Sequence, residues 1–98
     1  MASFVVINEE GPAWASGVPM REEKGWEKHA DFMNAIETER FVVFRGLLAG
    51  CHKRRATLVI EAPDEQVIRK RLAEDPWTRS GILRNVGYYS WEILLGKS

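Results

Sequence analysis

The sequence is short of cysteine, with one in 98 residues. A single thiol forms no internal disulfide and supplies no multi-cysteine metal site, so a reducing, cytoplasmic setting is expected. An excess of charge is also missing: 14 Lys and Arg balance 14 Asp and Glu. No strong field draws in DNA, RNA or an anionic membrane, and neither nucleic acid nor membrane is expected as a partner. No apolar run approaches the roughly 18 residues of a spanning helix, and the first residues lack the basic-then-apolar order of a secretion signal. Phosphate-binding loops are absent as well, because Gly46 and Gly50 match no nucleotide fingerprint. The two histidines, His29 and His52, have no metal-ligand spacing. Neither a metal nor a nucleotide cofactor is expected.

What is present is globular usage, 45% hydrophobic and 29% charged, in a length suited to one domain over residues 1–98. Four short runs rich in β-branched and aromatic residues read as strands: Phe4–Ile7, Phe41–Phe44, Thr57–Ile60 and Tyr88–Leu95. Between them lie two helical patterns. In the first, Trp26, His29, Ala30, Met33, Ile36 and Glu37 share one mainly apolar stripe. In the second, Val67, Ile68, Arg71 and Leu72 share a face. Pro63 suits its first position, and Arg69, Lys70 and Arg71 suit its C-terminal end.

The order strand, helix, strand, strand, helix, strand predicts an α+β, ferredoxin-like βαββαβ sandwich. Two helices cover one face of its four-stranded antiparallel sheet. The other face needs cover too, because Phe4–Ile7 and Phe41–Phe44 are apolar on both parities. A second copy of the chain is the expected cover, giving a homodimer with its sheets face to face. The stretch from Glu9 to Gly25 exceeds the usual connection of about 2–6 residues. With Pro12, Trp14 and Pro19 it reads as an ordered loop, either a lid or pocket wall or a packing element.

Several residues carry candidate chemistry. His29, on the apolar stripe, is open to two readings: a general acid or base, or a core histidine with satisfied nitrogens. Asp75, before Pro76, should end the second helix and cap a short turn through Trp77, Thr78 and Arg79. Capping is the stronger reading from sequence; the functional reading makes Asp75 the carboxylate that orients and polarises His29, and two carboxylate oxygens allow both roles at once. Trp14, Trp26 and Trp77 either line a flat pocket for an apolar or aromatic ligand or pack as ordinary core. Trp91 alternates with Tyr89, Ile93 and Leu95, as in a core or interface strand. Cys51 has no resolving cysteine, and His52, Lys53, Arg54 and Arg55 read as a solvated hairpin tip.

Gly25–Met33, Phe41–Gly46, Ala73–Trp77 and Trp91–Gly96 together resemble the YCII-related domain proteins, in the same order and over nearly the whole chain. The helix-one histidine and the Asp-Pro-Trp segment are the most specific parts. The resemblance implies a dimeric α+β barrel, a fold shared with muconolactone isomerases, and a His–Asp catalytic pair at His29 and Asp75. The family includes a dehydrochlorinase of a chlorinated hydroxyquinone. Arg45 departs from the smaller residue of many relatives; pointing into the pocket, it would favour an anionic substrate.

The expectation is a small cofactor-independent enzyme, a lyase or isomerase, in which His29 moves a proton and Asp75 orients it. Trp14, Trp26, Arg45 and Trp77 would contact a small, ring-containing molecule. The alternative is a non-catalytic small-molecule-binding or regulatory module with the same dimeric fold.

Overall fold

The computed structural model describes residues 2–50 and 53–92. Cys51 and His52, and the expected strand positions Ile93, Leu94 and Leu95, lie outside the described residues. Strands β1 (Ala2–Glu10), β2 (Val42–Leu47), β3 (Arg55–Ala62) and β4 (Leu83–Ser90) form one antiparallel sheet in the order β2-β3-β1-β4. Helices α1 (Trp26–Thr38), α2 (Glu65–Leu72) and the short α3 (Pro76–Ser80) complete the ferredoxin-like α+β fold. No helix among the described residues is long and apolar enough to cross a membrane.

Strand alternation makes the core. Phe4 and Val6 of β1 stand opposite Ile60 and Leu58 of β3, and all four side chains point toward the helices. Met33 and Ile36 of α1 and Ile68 and Leu72 of α2 meet them. Val6, Ile36, Ile60 and Ile68 are fully buried, each contributing about 1.5–3 kcal/mol by leaving water. Helix α1 ends where Arg40 takes a left-handed φ of 62°. The Phe41 N–H then donates to the Ile36 carbonyl and the Arg40 N–H to that of Glu37, which turns the chain into β2.

Two boundaries differ from expectation. Helix α2 starts at Glu65, two residues later than Pro63 suggested, because the Asp64 side chain accepts from the Val67 N–H at 3.0 Å and makes Asp64 the N-cap. Strand β4 runs from Leu83 to Ser90 rather than from Tyr88 onward. Its first half reads as polar because Arg84 and Asn85 interrupt it. Yet Arg84 pairs Glu9 and Asn85 pairs Asn8 across the ladder, so backbone pairing overrides hydropathy there.

Two bulges decide which residues face which way. In β2, Val42 pairs Ile60 while Phe44 pairs the adjacent Val59, so Val43 is extra. From that point Phe44 joins Val59, Val5 and Tyr89 in a row across the helix-free face, while Arg45 and Leu47 turn to the helix face opposite Leu58 and Ala56. In β4 the shift falls between Gly87, opposite Ile7, and Asn85, opposite Asn8, leaving Val86 extra.

Candidate functional site

The segment between β1 and α1 is ordered around Trp77. Gly11 donates to the Ile82 carbonyl at 2.7 Å, and Ala13 to that of Gly81 at 3.0 Å. Gly11 allows this approach, since a Cβ there would stand 2.2 Å from the Gly81 oxygen. A 3-10 turn over Met20–Glu22 leads into Glu23, whose buried carboxylate accepts from the Ala15 N–H through Oε1 at 3.0 Å. Its Oε2 has no partner among the described residues. Gly25, at φ 81°, then starts α1 beside the Trp77 indole, whose Nε1–H donates to the Lys24 carbonyl at 2.8 Å.

Helix α3 begins as its sequence predicts, with Pro76 at the first helical position and Asp75 as N-cap. The Oδ1 of Asp75 accepts from the Trp77 N–H at 3.0 Å. Both carboxylate oxygens also meet His29 Nδ1, at 2.9 and 3.0 Å. Both residues are buried, His29 at 7% exposure and Asp75 at 5%. An ionised carboxylate only accepts, so in the neutral ring the proton sits on Nδ1 and Nε2 keeps its lone pair. No bond to Nε2 forms among the described residues. The imidazole lies flat on Trp77, centroids 4.1 Å apart and planes 7° from parallel, with Trp26 tilted beside both.

His29, Trp26 and Trp77 form one wall of a cavity of about 280 Å³ between α1 and the sheet. Met33, Leu58, Ala56, Leu47 and Leu83 make most of the remaining surface apolar, and Asn8, Arg45 and Arg54 add polar groups. The volume falls just below the range of ligand sites, about 300 to 1,000 Å³, and suits only a small molecule.

Of the six residues singled out in the sequence, five meet here. His29 and Asp75 are bonded, Trp26 and Trp77 wall the cavity, and Arg45 lines it while ion-paired to Glu37. Trp14 stands apart, packed edge-on against Trp77 with centroids 5.9 Å apart, and is not among the lining residues. Met20 of the long loop does line the cavity. Arg54, read in the sequence as part of a solvated hairpin tip, also lines it and is half-buried. Its signal was parity: Arg54 is in step with Ala56, Leu58 and Ile60, which point to the helices. Arg45 had no such signal, because only the bulge at Val43 turns it inward.

No family model matches the chain, and no curated protein matches it in sequence. Among solved structures its fold is similar to that of 5-chloro-2-hydroxyhydroquinone dehydrochlorinase from Burkholderia phenoliruptrix AC1100, in complex with 2,5-dihydroxybenzoquinone. The TM-score is 0.59 over 96% of each chain, at 16% sequence identity. The chain therefore shares the ferredoxin-like fold of that dehydrochlorinase along nearly the full length of both proteins.

Proposed function

We propose that the chain is a cofactor-independent acid–base enzyme of the YCII-related group, acting on a small, ring-containing metabolite by elimination or isomerisation. The observation that carries this reading is the buried His29–Asp75 pair, which leaves one imidazole nitrogen unbonded on the wall of an apolar cavity. A satisfied core histidine would have partners at both nitrogens. In elimination, the Nε2 lone pair takes a proton from the carbon or hydroxyl conjugated with the leaving group. The freed electron pair forms the new double bond, and the leaving group departs with its bonding pair. In isomerisation, the imidazolium returns the proton to a different atom. Asp75 fixes the tautomer and stabilises the imidazolium, while the Trp26 and Trp77 walls exclude water. That the similarly folded dehydrochlorinase was solved with a quinone supports a flat ring as the substrate shape.

A homodimer belongs to the same proposal. The helix-free face carries Phe44 at 72% exposure and Tyr89 at 59%, with Val43 and Val86 also exposed. Both main helices are committed to the opposite face, so a second sheet is the natural cover.

The test is a turnover screen of chlorinated hydroquinones, hydroxyquinones and unsaturated lactones, read as halide release or as a shift in ultraviolet absorbance. Wild type should turn over at least one class. The His29→Asn variant should fold with unchanged circular dichroism and lose on the order of 100-fold or more in rate. Equal rates in the two proteins would remove His29 from the chemistry, and tight binding without turnover would favour the binding-module reading.

A further inference from the structure

Two arginines line the cavity beside His29, and they are not equivalent. Arg45 is neutralised by Glu37 through its Nε. Arg54 has no carboxylate partner among the described residues; its Nη2 donates to the Met20 sulfur at 2.9 Å, and its guanidinium lies 5.7 Å from the Trp14 ring centroid. A thioether is a weak acceptor, and an indole face leaves the in-plane N–H groups unused.

Lys53 and Arg55 turn to the other face of the sheet, where both reach the Glu9 carboxylate, at 3.9 and 3.0 Å. Arg84 joins them there at 2.6 Å. Three cations thus share one acid on that face, while Arg54 lines the cavity with no paired acid among the described residues. A half-buried guanidinium without a counter-charge is costly to keep, and a planar oxyanion satisfies its fork of donors with two parallel hydrogen bonds.

We infer that Arg54 is the anion-binding residue of this cavity, and that the ligand is a small ring compound bearing a carboxylate-like planar oxyanion. The ring lies between the Trp77–His29 wall and Leu58, and the oxyanion meets Arg54. The inference rests on the reading of this cavity as the ligand site, and it makes no use of turnover. It also gives the long loop a specificity role, since Met20 and Trp14 are both neighbours of the guanidinium.

The experiment is an NMR titration of the full chain with benzoate and with its neutral isostere benzamide, following the indole N–H resonances. Wild type should bind benzoate about tenfold or more tightly than benzamide. The preference should vanish in Arg54→Met and return in part in Arg54→Lys, which restores charge without the fork. Lys53→Ala, a loss of the same charge on the opposite face, should leave it intact. The readout is binding and not turnover, so a failed turnover screen leaves this assignment standing, which separates failure of the acid–base reading from failure of this one. Equal binding of the two probes, no benzoate binding at millimolar concentration, or a preference that survives in Arg54→Met would each overturn the assignment.

Discussion

His29 and Trp77 hold each other by two routes. Their rings stack at 4.1 Å, and the Trp77 backbone N–H shares the Asp75 carboxylate with the imidazole. The indole therefore fixes the ring plane, while the carboxylate fixes rotation within that plane. An imidazolium forming there would also gain from the π face beneath it.

Trp77→Phe should weaken both the fold and the site. It keeps an aromatic face but loses the Nε1–H bond to Lys24 and leaves space beside Gly25. The expected cost is about 1–3 kcal/mol, read from urea midpoints. The His29 ring signals should broaden as the stacking loosens; a midpoint and line width equal to wild type would count against the two-route restraint.

The two roles of Asp75 can be separated by substitution. Asp75→Asn keeps an oxygen for the Trp77 N–H and should cost little stability. Asp75→Ala removes the cap and leaves His29 Nδ1 unpaired, for a loss of about 2–4 kcal/mol. Nitrogen-15 spectra of the ring should show the Nδ1–H tautomer in wild type and a mixture in Asp75→Asn. A pure Nδ1–H ring in the Asn variant would mean that something other than the carboxylate sets the tautomer.

On the other face, the hydrogen bonds from Arg84 hold the Glu9 carboxyl below its usual range, against the opposing effect of burial and with help from Arg55. A depressed folded-state pKa stabilises the fold at pH values above the unfolded glutamate value of about 4.3. That contribution is lost as pH falls from there through the lower folded-state value. Urea midpoints should therefore drop more steeply below about pH 4.3 in wild type than in Glu9→Gln. Molar salt should shrink the difference, because the arginines are half-exposed. Parallel curves would show that the cluster carries no linkage.

The proposed dimer rests on the row Phe44, Val59, Val5 and Tyr89. Phe44→Asp places a charge in its most exposed member and should give a folded monomer by sedimentation, with wild type sedimenting as a dimer at micromolar concentration. A wild-type monomer would remove the proposal outright.

Gly11→Ala tests the anchoring of the long loop. Its Cβ would meet the Gly81 oxygen at 2.2 Å, so the backbone must part. The expected loss is about 1–3 kcal/mol, with faster amide exchange from Ala13 to Ala15 than in wild type.

Much of this was legible in the residues because strands and helices differ in period. Four β-branched runs and two apolar stripes specify the βαββαβ order, and Asp75-Pro76 specifies the cap that presents a carboxylate to His29. The bulge at Val43 was not legible, since it arises from pairing between strands and inverts the parity of everything after it. Arg45 could therefore not be placed from its neighbours. Arg54 was obscured differently: four consecutive polar residues, His52 to Arg55, read as a solvated tip, although alternation sends Arg54 to the face opposite Lys53 and Arg55. The β4 boundary was lost because Arg84 and Asn85 satisfy the ladder rather than the core.

The bond between His29 and Asp75 joins positions 46 residues apart, one from each βαβ half of the chain. Neither half alone brings the two side chains together, and the chain between them must close before the bond can form. A chain whose two halves are not docked therefore carries a free imidazole and a separate carboxylate. The pair is in that sense a built-in report of structural integrity: loss of either half in a proteolytic fragment abolishes it.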